Sequence, residues 1–188
     1  MKLKLLSEIK FLKGEEILRR YFVMNSFDGV LTTLGILFGS YISNTIEPSL
    51  IVRVVIATGI AMFVSGFFGT YLTESSERKR EIKELEKAMV KKFENSTLQK
   101  IASKISLVSA LVDGISPLLA SIITIIPFFL GIDPFTSFYI SVGIAFGLLF
   151  LLGSYLSKIS KERIIIGGFK MLLAGVIAAL LILLVGGV

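Results

Sequence analysis

The chain contains no cysteine and no histidine, which excludes thiolate and imidazole metal sites, Ser/His and Cys/His nucleophiles and disulfides. Chemistry is left to the oxygens of carboxylates and hydroxyls and to the thioether of methionine. Two carboxylates stand out by their surroundings: Asp28 in NSFDGVLTTLGILFGSY and Asp113 in ALVDGISPLLAS, each interrupting a long apolar run. Four more, Glu74, Glu77, Glu81 and Glu84, follow one another through ESSERKREIKELEKAMVKKFENS. Oxygen donors with an occasional methionine suit a divalent cation such as Fe(II) or Mn(II), without excluding Mg(II) or Ca(II).

Helical spacing surrounds each acid with small polar residues. Met24, Asp28, Thr32, Gly35 and Gly39 share a narrow stripe at 3.6 residues per turn, so a thioether, a carboxylate and a hydroxyl precede bare backbone. Ser106, Ser109, Asp113, Ser116, Pro117, Ala120 and Thr124 form a second stripe of the same kind. Small residues also serve helix packing, and Gly35-x-x-x-Gly39 is a small-xxx-small motif. The two acids tip the reading toward a cation path running between packed helices.

The elements that carry these stripes must be membrane helices. Hydrophobic residues make up 54% of the 188, and the mean hydropathy is +0.84, too apolar for a soluble domain of this size. Five runs are long enough to cross a hydrocarbon core of ~30 Å as helices: residues 21–43, 50–73, 105–130, 134–157 and 164–187. Pro117 and Pro127 fall inside the third, as membrane helices tolerate. The expected fold is therefore an all-α integral membrane protein with five transmembrane helices.

Charge orients it. Of the 20 Lys and Arg, six lie in residues 1–20, nine between Arg78 and Lys104, and three at Lys158, Lys161 and Arg163. The alternate loops carry only Glu47 and Asp133, while Arg53 and Lys170 sit just inside spans, where they can snorkel. The positive-inside rule places the amino terminus and the 74–104 and 158–163 loops in the cytoplasm and the carboxyl terminus outside. The net charge of +6 is a topological signal on this reading and gives no reason to expect nucleic-acid binding.

An internal repeat reinforces the layout. GIAMFVSGFFGTYL from Gly59 matches GIAFGLLFLLGSYL from Gly143 at six of fourteen positions, and FDGVLTTLG from Phe27 aligns with VDGISPLLA from Val112. Spans one and two would thus repeat in parallel as spans three and four. Asp28 and Asp113 then stand at one level, ~10–12 Å from the cytoplasmic ends of their spans. A carboxylate so deep costs roughly 2.5–3.5 kcal/mol, so it faces a cavity, a partner or an ion.

The remaining segments divide simply. Residues 1–20 read as a cytoplasmic amphipathic helix at the interface, 21–73 as transmembrane helices one and two, 74–104 as a short charged cytoplasmic helix, and 105–187 as helices three to five. On the charged helix the four glutamates take one face, Lys79, Lys83, Lys87 and Lys91 another, and Ile82, Leu85, Met89 and Phe93 a third. The glutamates either form a solvated face or gather divalent cations below the path.

FDGVLTTLGILFG, GTYLTESSER, LLFLLGSYLSK and GGFKMLLAGVIAALLILLVG, in that order, resemble the first, second, fourth and fifth helices of the vacuolar iron transporter family. The resemblance implies a homodimer with the ion path near its interface, export of Fe(II) or Mn(II) from the cytosol in exchange for protons, and Asp28 as a pathway ligand. The sequence departs from the family pattern at Thr70, where Glu is usual, and at Gly66, where Met is common. Metal-ligand candidates are Asp28, Met24, Thr32, Glu74, Glu77, Glu81 and Glu84, with Asp113 as a second intramembrane acid. The metal is cargo, no resident cofactor and no enzymatic activity are expected, and the cell membrane is the simplest location. Two other classes fit less of the sequence: an intramembrane aspartyl protease using Asp28 and Asp113, and a noncatalytic membrane adaptor.

Overall fold

The computed structural model describes residues 14–89 and 97–186, with backbone alone at 88–89 and 97–98. Among the described residues the chain is wholly helical: α1 (Gly14–Ile42), α2 (Pro48–Met89), α3 (Thr97–Thr124), a 3-10 turn (Ile126–Phe129), α4 (Pro134–Ile159) and α5 (Ile164–Gly186). All five α-helices are long and apolar enough to span a membrane. The amphipathic segment expected over 1–20 lies outside the described residues as far as position 13, and from Gly14 the chain is already in α1.

The third span ends earlier than its hydropathy suggests. Residues 105–130 read as one helix in the sequence, whereas α3 stops at Thr124 and the chain tightens into the 3-10 turn around Pro127. Proline brings no amide to the helical ladder and restricts the residue before it, so the helix gives out just ahead of it. Pro117 is accommodated inside the same helix. The loop that follows turns through Gly131 at φ +68°, a left-handed conformation that glycine adopts without a Cβ penalty. Asp133 then caps α4, its carboxylate accepting from the Thr136 amide at 2.9 Å, and Pro134 occupies the first turn, where a missing amide costs nothing.

Polarity is distributed as membrane packing requires. Ser26, Thr33, Ser106, Ser109, Ser116, Ser121, Thr124, Ser137, Ser141 and Ser157 are buried, while Phe68, Leu72, Tyr139, Leu151, Phe169, Leu184 and many other large side chains face outward. Lipid is as apolar as leucine, so helices associate through close approach of small residues and hydroxyl hydrogen bonds, not through hydrophobic burial.

The chain divides into two compact units. The larger joins Val23–Met62 to the chain from Ser116 onward. Leu37, Ile51, Val55, Ile125, Phe128 and Phe138 form one of its cores, and Val30, Leu34, Ala120, Ala145 and Leu149 another. Tyr41 stacks on Phe138 with ring centroids 5.2 Å apart. Here α4 packs on α5 where Gly153 meets the Gly167 carbonyl, and α1 packs on α3 where Gly29 meets the Pro117 backbone. The Gly29 carbonyl accepts from Thr33 Oγ1 at 2.8 Å and from Ser121 Oγ at 3.1 Å. Between α4 and α5 the chain reverses through Lys161 at φ +57°.

The smaller unit holds the start of α1 through Phe22 together with Phe63–Ile115. Gly114 of α3 lies against α2, where an added Cβ would stand 2.7 Å from the Phe63 carbonyl oxygen. Phe63, Phe67 and Tyr71 stack along that face of α2 at centroid separations of 6.0 and 6.4 Å.

Candidate ion site

The larger unit carries Asp28 on the outward side of α1. Val23, Ser26, Val30, Thr33, Leu34 and Leu37 are buried, so the helix turns its aliphatic and hydroxyl face inward. The opposite side presents Met24, 56% exposed, an exposed Asp28 and a half-buried Thr32. Beyond them the surface is bare backbone: Gly39 would leave an added Cβ with nothing within 4 Å, and Gly35 would meet only Ile182 Cδ1 at 3.9 Å. The stripe seen in the sequence is thus a single face, exposed at Met24 and Asp28 and half-buried at Thr32, Gly35 and Gly39. At its far end Gly39 opens into an apolar groove of about 390 Å³ lined with Ile42, Ser43, Leu181, Ile182, Val185 and Gly186.

The smaller unit carries Asp113, and there the arrangement is reversed. Asp113 is only 6% exposed, and Ser106 and Ser109 of the same stripe are fully buried. The remaining members of that stripe, Ser116, Pro117, Ala120 and Thr124, are buried in the larger unit. Asp113 Oδ2 lies over α2 at Gly66, 2.6 Å from where a Cβ would be. Gly66 is therefore the space that admits the carboxylate.

The four glutamates are each held by an arginine of their own helix. Glu74 stands 3.7 Å from Arg78 and Glu81 3.5 Å from it, while Glu77 and Glu84 lie 3.8 and 3.1 Å from Arg80. Glu74 is set apart by burial: its side chain is 12% exposed and accepts a hydrogen bond from the Tyr21 hydroxyl at 2.9 Å. Glu77, Glu81 and Glu84 are exposed, and such surface pairs contribute at most about 1 kcal/mol each. Among the described residues no three acidic side chains converge to form a metal-binding group. Of the apolar stripe beside them, Ile82 is half-buried and Leu85 exposed, while the Met89 side chain, Phe93 and the basic Lys91 fall outside the described residues.

Arg78 is the participant that sequence reasoning overlooked. It is 8% exposed, an uncommon environment for a guanidinium unless it is paired. The signal was present as Glu74-x-x-x-Arg78, the i,i+4 spacing that brings opposite charges together on a helix. Counting glutamates and lysines by face passed over it.

A profile of the VIT family matches residues 87–187. An uncharacterized protein of Methanocaldococcus jannaschii is 35% identical over 165 residues, covering 86% of this chain and 85% of its own. The chain belongs to the VIT family. VIT proteins are membrane transporters of metal ions, and with five apolar helices this one is a multi-pass integral membrane protein.

Proposed function

We propose that the protein moves Fe(II) or Mn(II) out of the cytosol in exchange for protons, along a path completed when two copies pair across the α1 face that carries Asp28. The observation that carries this reading is the stripe of Met24, Asp28, Thr32, Gly35 and Gly39 on one face of α1, with its thioether and carboxylate exposed. A carboxylate facing hydrocarbon is costly and calls for a partner, and bare glycine lets another helix come close. One copy offers three donor types in Met24, Asp28 and Thr32. They lie on successive turns, about 6 Å apart, so they line a path in sequence, and a two-fold axis would set a second Asp28 across from the first.

The rest of the topology follows the charge distribution, with the amino terminus in the cytosol, the carboxyl terminus outside and spans one and two repeated as three and four. In support of the repeat, both Asp-Gly glycines approach a neighbouring helix closely, Gly29 at Pro117 and Gly114 at Phe63. On the cytosolic side the exposed Glu77, Glu81 and Glu84 gather cations by exchanging weak arginine pairs for a divalent ion, and the inward Glu74 takes no part. At Asp28 the ion and a proton compete for one carboxylate, which is enough to couple their movements.

The reading is tested by flux of Fe(II), Mn(II), Mg(II) and Ca(II) into proteoliposomes, with and without a pH gradient. Gradient-sensitive movement of Fe(II) or Mn(II) is expected, and no flux of any ion by folded protein would defeat the proposal. The pairing has its own test, because the chain has no native cysteine to confuse it. Thr32→Cys should give a covalent dimer on mild oxidation in membranes, whereas Ala61→Cys, exposed on α2, should stay monomeric. Equal cross-linking at both positions would show random collision instead of a defined interface.

A further inference from the structure

The smaller unit contains a series of buried polar groups, at successive turns of α2 and α3, that the metal path does not use. Its inner end is Asp113, 6% exposed, with Oδ2 lying over Gly66. Ser109, one helical turn toward the cytosolic end of α3, is completely buried, and its Oγ has no hydrogen-bond partner. One turn beyond Gly66 on α2, Thr70 is 8% exposed. The turn after that brings Glu74, which accepts a hydrogen bond from the Tyr21 hydroxyl at 2.9 Å, and then the buried Arg78. From Gly66 to Glu74 is eight residues, about 12 Å along the helix.

From this arrangement we infer that Asp113 is an exchangeable proton site inside each subunit, served from the cytosolic side through the hydroxyls of Ser109, Thr70 and Tyr21. The hydroxyls and carboxylates of this series can pass a proton, and none of them alone offers a cation a full set of ligands. The orphaned Ser109 hydroxyl has the chemistry of a site for a bridging water, since buried polar atoms in native proteins seldom lack a partner. At the mouth, Arg78 is held between Glu74 and Glu81, and a proton can pass beside it along neutral hydroxyls. Among the described residues, the charged and titratable groups beside these hydroxyls include Tyr21 from α1 and Glu74, Arg78 and Glu81 from α2. Glu74 serves as the fixed anion between Tyr21 and Arg78. Protons and metal would then travel separately, with metal on the outward face of α1 and protons through the subunit interior. The proton site stands on this geometry alone, and only its role as the counter-ion route rests on the transport reading above.

Infrared difference spectroscopy of the full chain in liposomes tests it directly, because a protonated carboxyl has its own carbonyl band. Asp113→Asn, nearly isosteric with the neutral acid, should remove a carbonyl component that Asp28→Asn retains. Tyr21→Phe and Thr70→Val should keep that component but slow its shift on transfer to deuterated water at least about tenfold, a modest part of the roughly 10²–10⁴-fold a positioned proton-transfer group contributes. If Asp113→Asn does not fold, the exchange rates of the other two variants decide the matter. A spectrum in which no component depends on Asp113, or exchange at the wild-type rate in both hydroxyl variants, would overturn the inference. Should the wild type move no metal while the band and its exchange behave as stated, the transport reading fails and the proton site stands. Metal flux in a protein whose spectrum lacks the band would remove the proton site alone.

Discussion

Asp28→Asn leaves the protein folded but lowers gradient-driven flux of Fe(II) or Mn(II) at least about tenfold. The substitution is isosteric and lies on an exposed face of α1, so its effect on stability should stay within about 0.5 kcal/mol. The amide keeps one oxygen but gives up the negative charge, the only formal charge among the three donors of the stripe. A tenfold loss corresponds to about 1.4 kcal/mol of ion binding, a small demand on a charged ligand in a low-dielectric setting. If two copies each contribute an Asp28, both charges vanish together and the loss is larger. The measurement is proteoliposome flux at matched protein density, with thermal unfolding in detergent to show that the variant is intact. Wild-type flux in the variant would remove Asp28 from the path and return the α1 stripe to packing.

The second large effect is structural and falls on the next residue. Gly29→Val should destabilise the protein by about 3 kcal/mol, read as a marked fall in the thermal unfolding temperature in detergent. A Cβ at this position runs into the Pro117 carbonyl oxygen, Cα and carbonyl carbon. All of these are backbone atoms in the interior of α3, so no side chain can swing aside and the helices must part, at the upper end of what overpacking costs. Parting them also strains the hydrogen bond from Ser121 to the Gly29 carbonyl. Gly39→Ala is the control: its Cβ enters open space, and the monomer's stability should be unchanged. Equal effects at the two glycines would show that the cost comes from helix propensity and not from the meeting of α1 with α3.

Much of this was legible in the sequence because a membrane simplifies what a sequence must encode. Hydropathy located the five helices, and the 3.6-residue period placed Met24, Asp28, Thr32, Gly35 and Gly39 on one face. The same period could not say which way that face turns, because serine, glycine and threonine serve equally at packed and open helix surfaces in lipid. The two acids illustrate the limit: their flanking residues are alike, yet Asp28 is exposed and Asp113 buried. What separates them lies elsewhere in the chain, at Gly66, whose missing side chain admits one carboxylate. The end of α3 was misread because hydropathy continues through IPFFL while the backbone, answering to Pro127, does not. Tyr21 and Glu74 are 53 positions apart, and no local pattern announces such a pairing.

The reversal between α4 and α5 bears on how the chain enters the bilayer in the first place. Lys161 holds a left-handed backbone conformation there, at a cost of about 1–2 kcal/mol that glycine would avoid. Yet it is also one of the three cations of this short loop, with Lys158 and Arg163, and the positive-inside rule leads us to expect such a loop to be retained on the cytosolic side during insertion. A glycine would make the easier turn and the weaker topogenic signal. At this position the strain carried by the finished protein is set against the polarity with which its last hairpin is threaded.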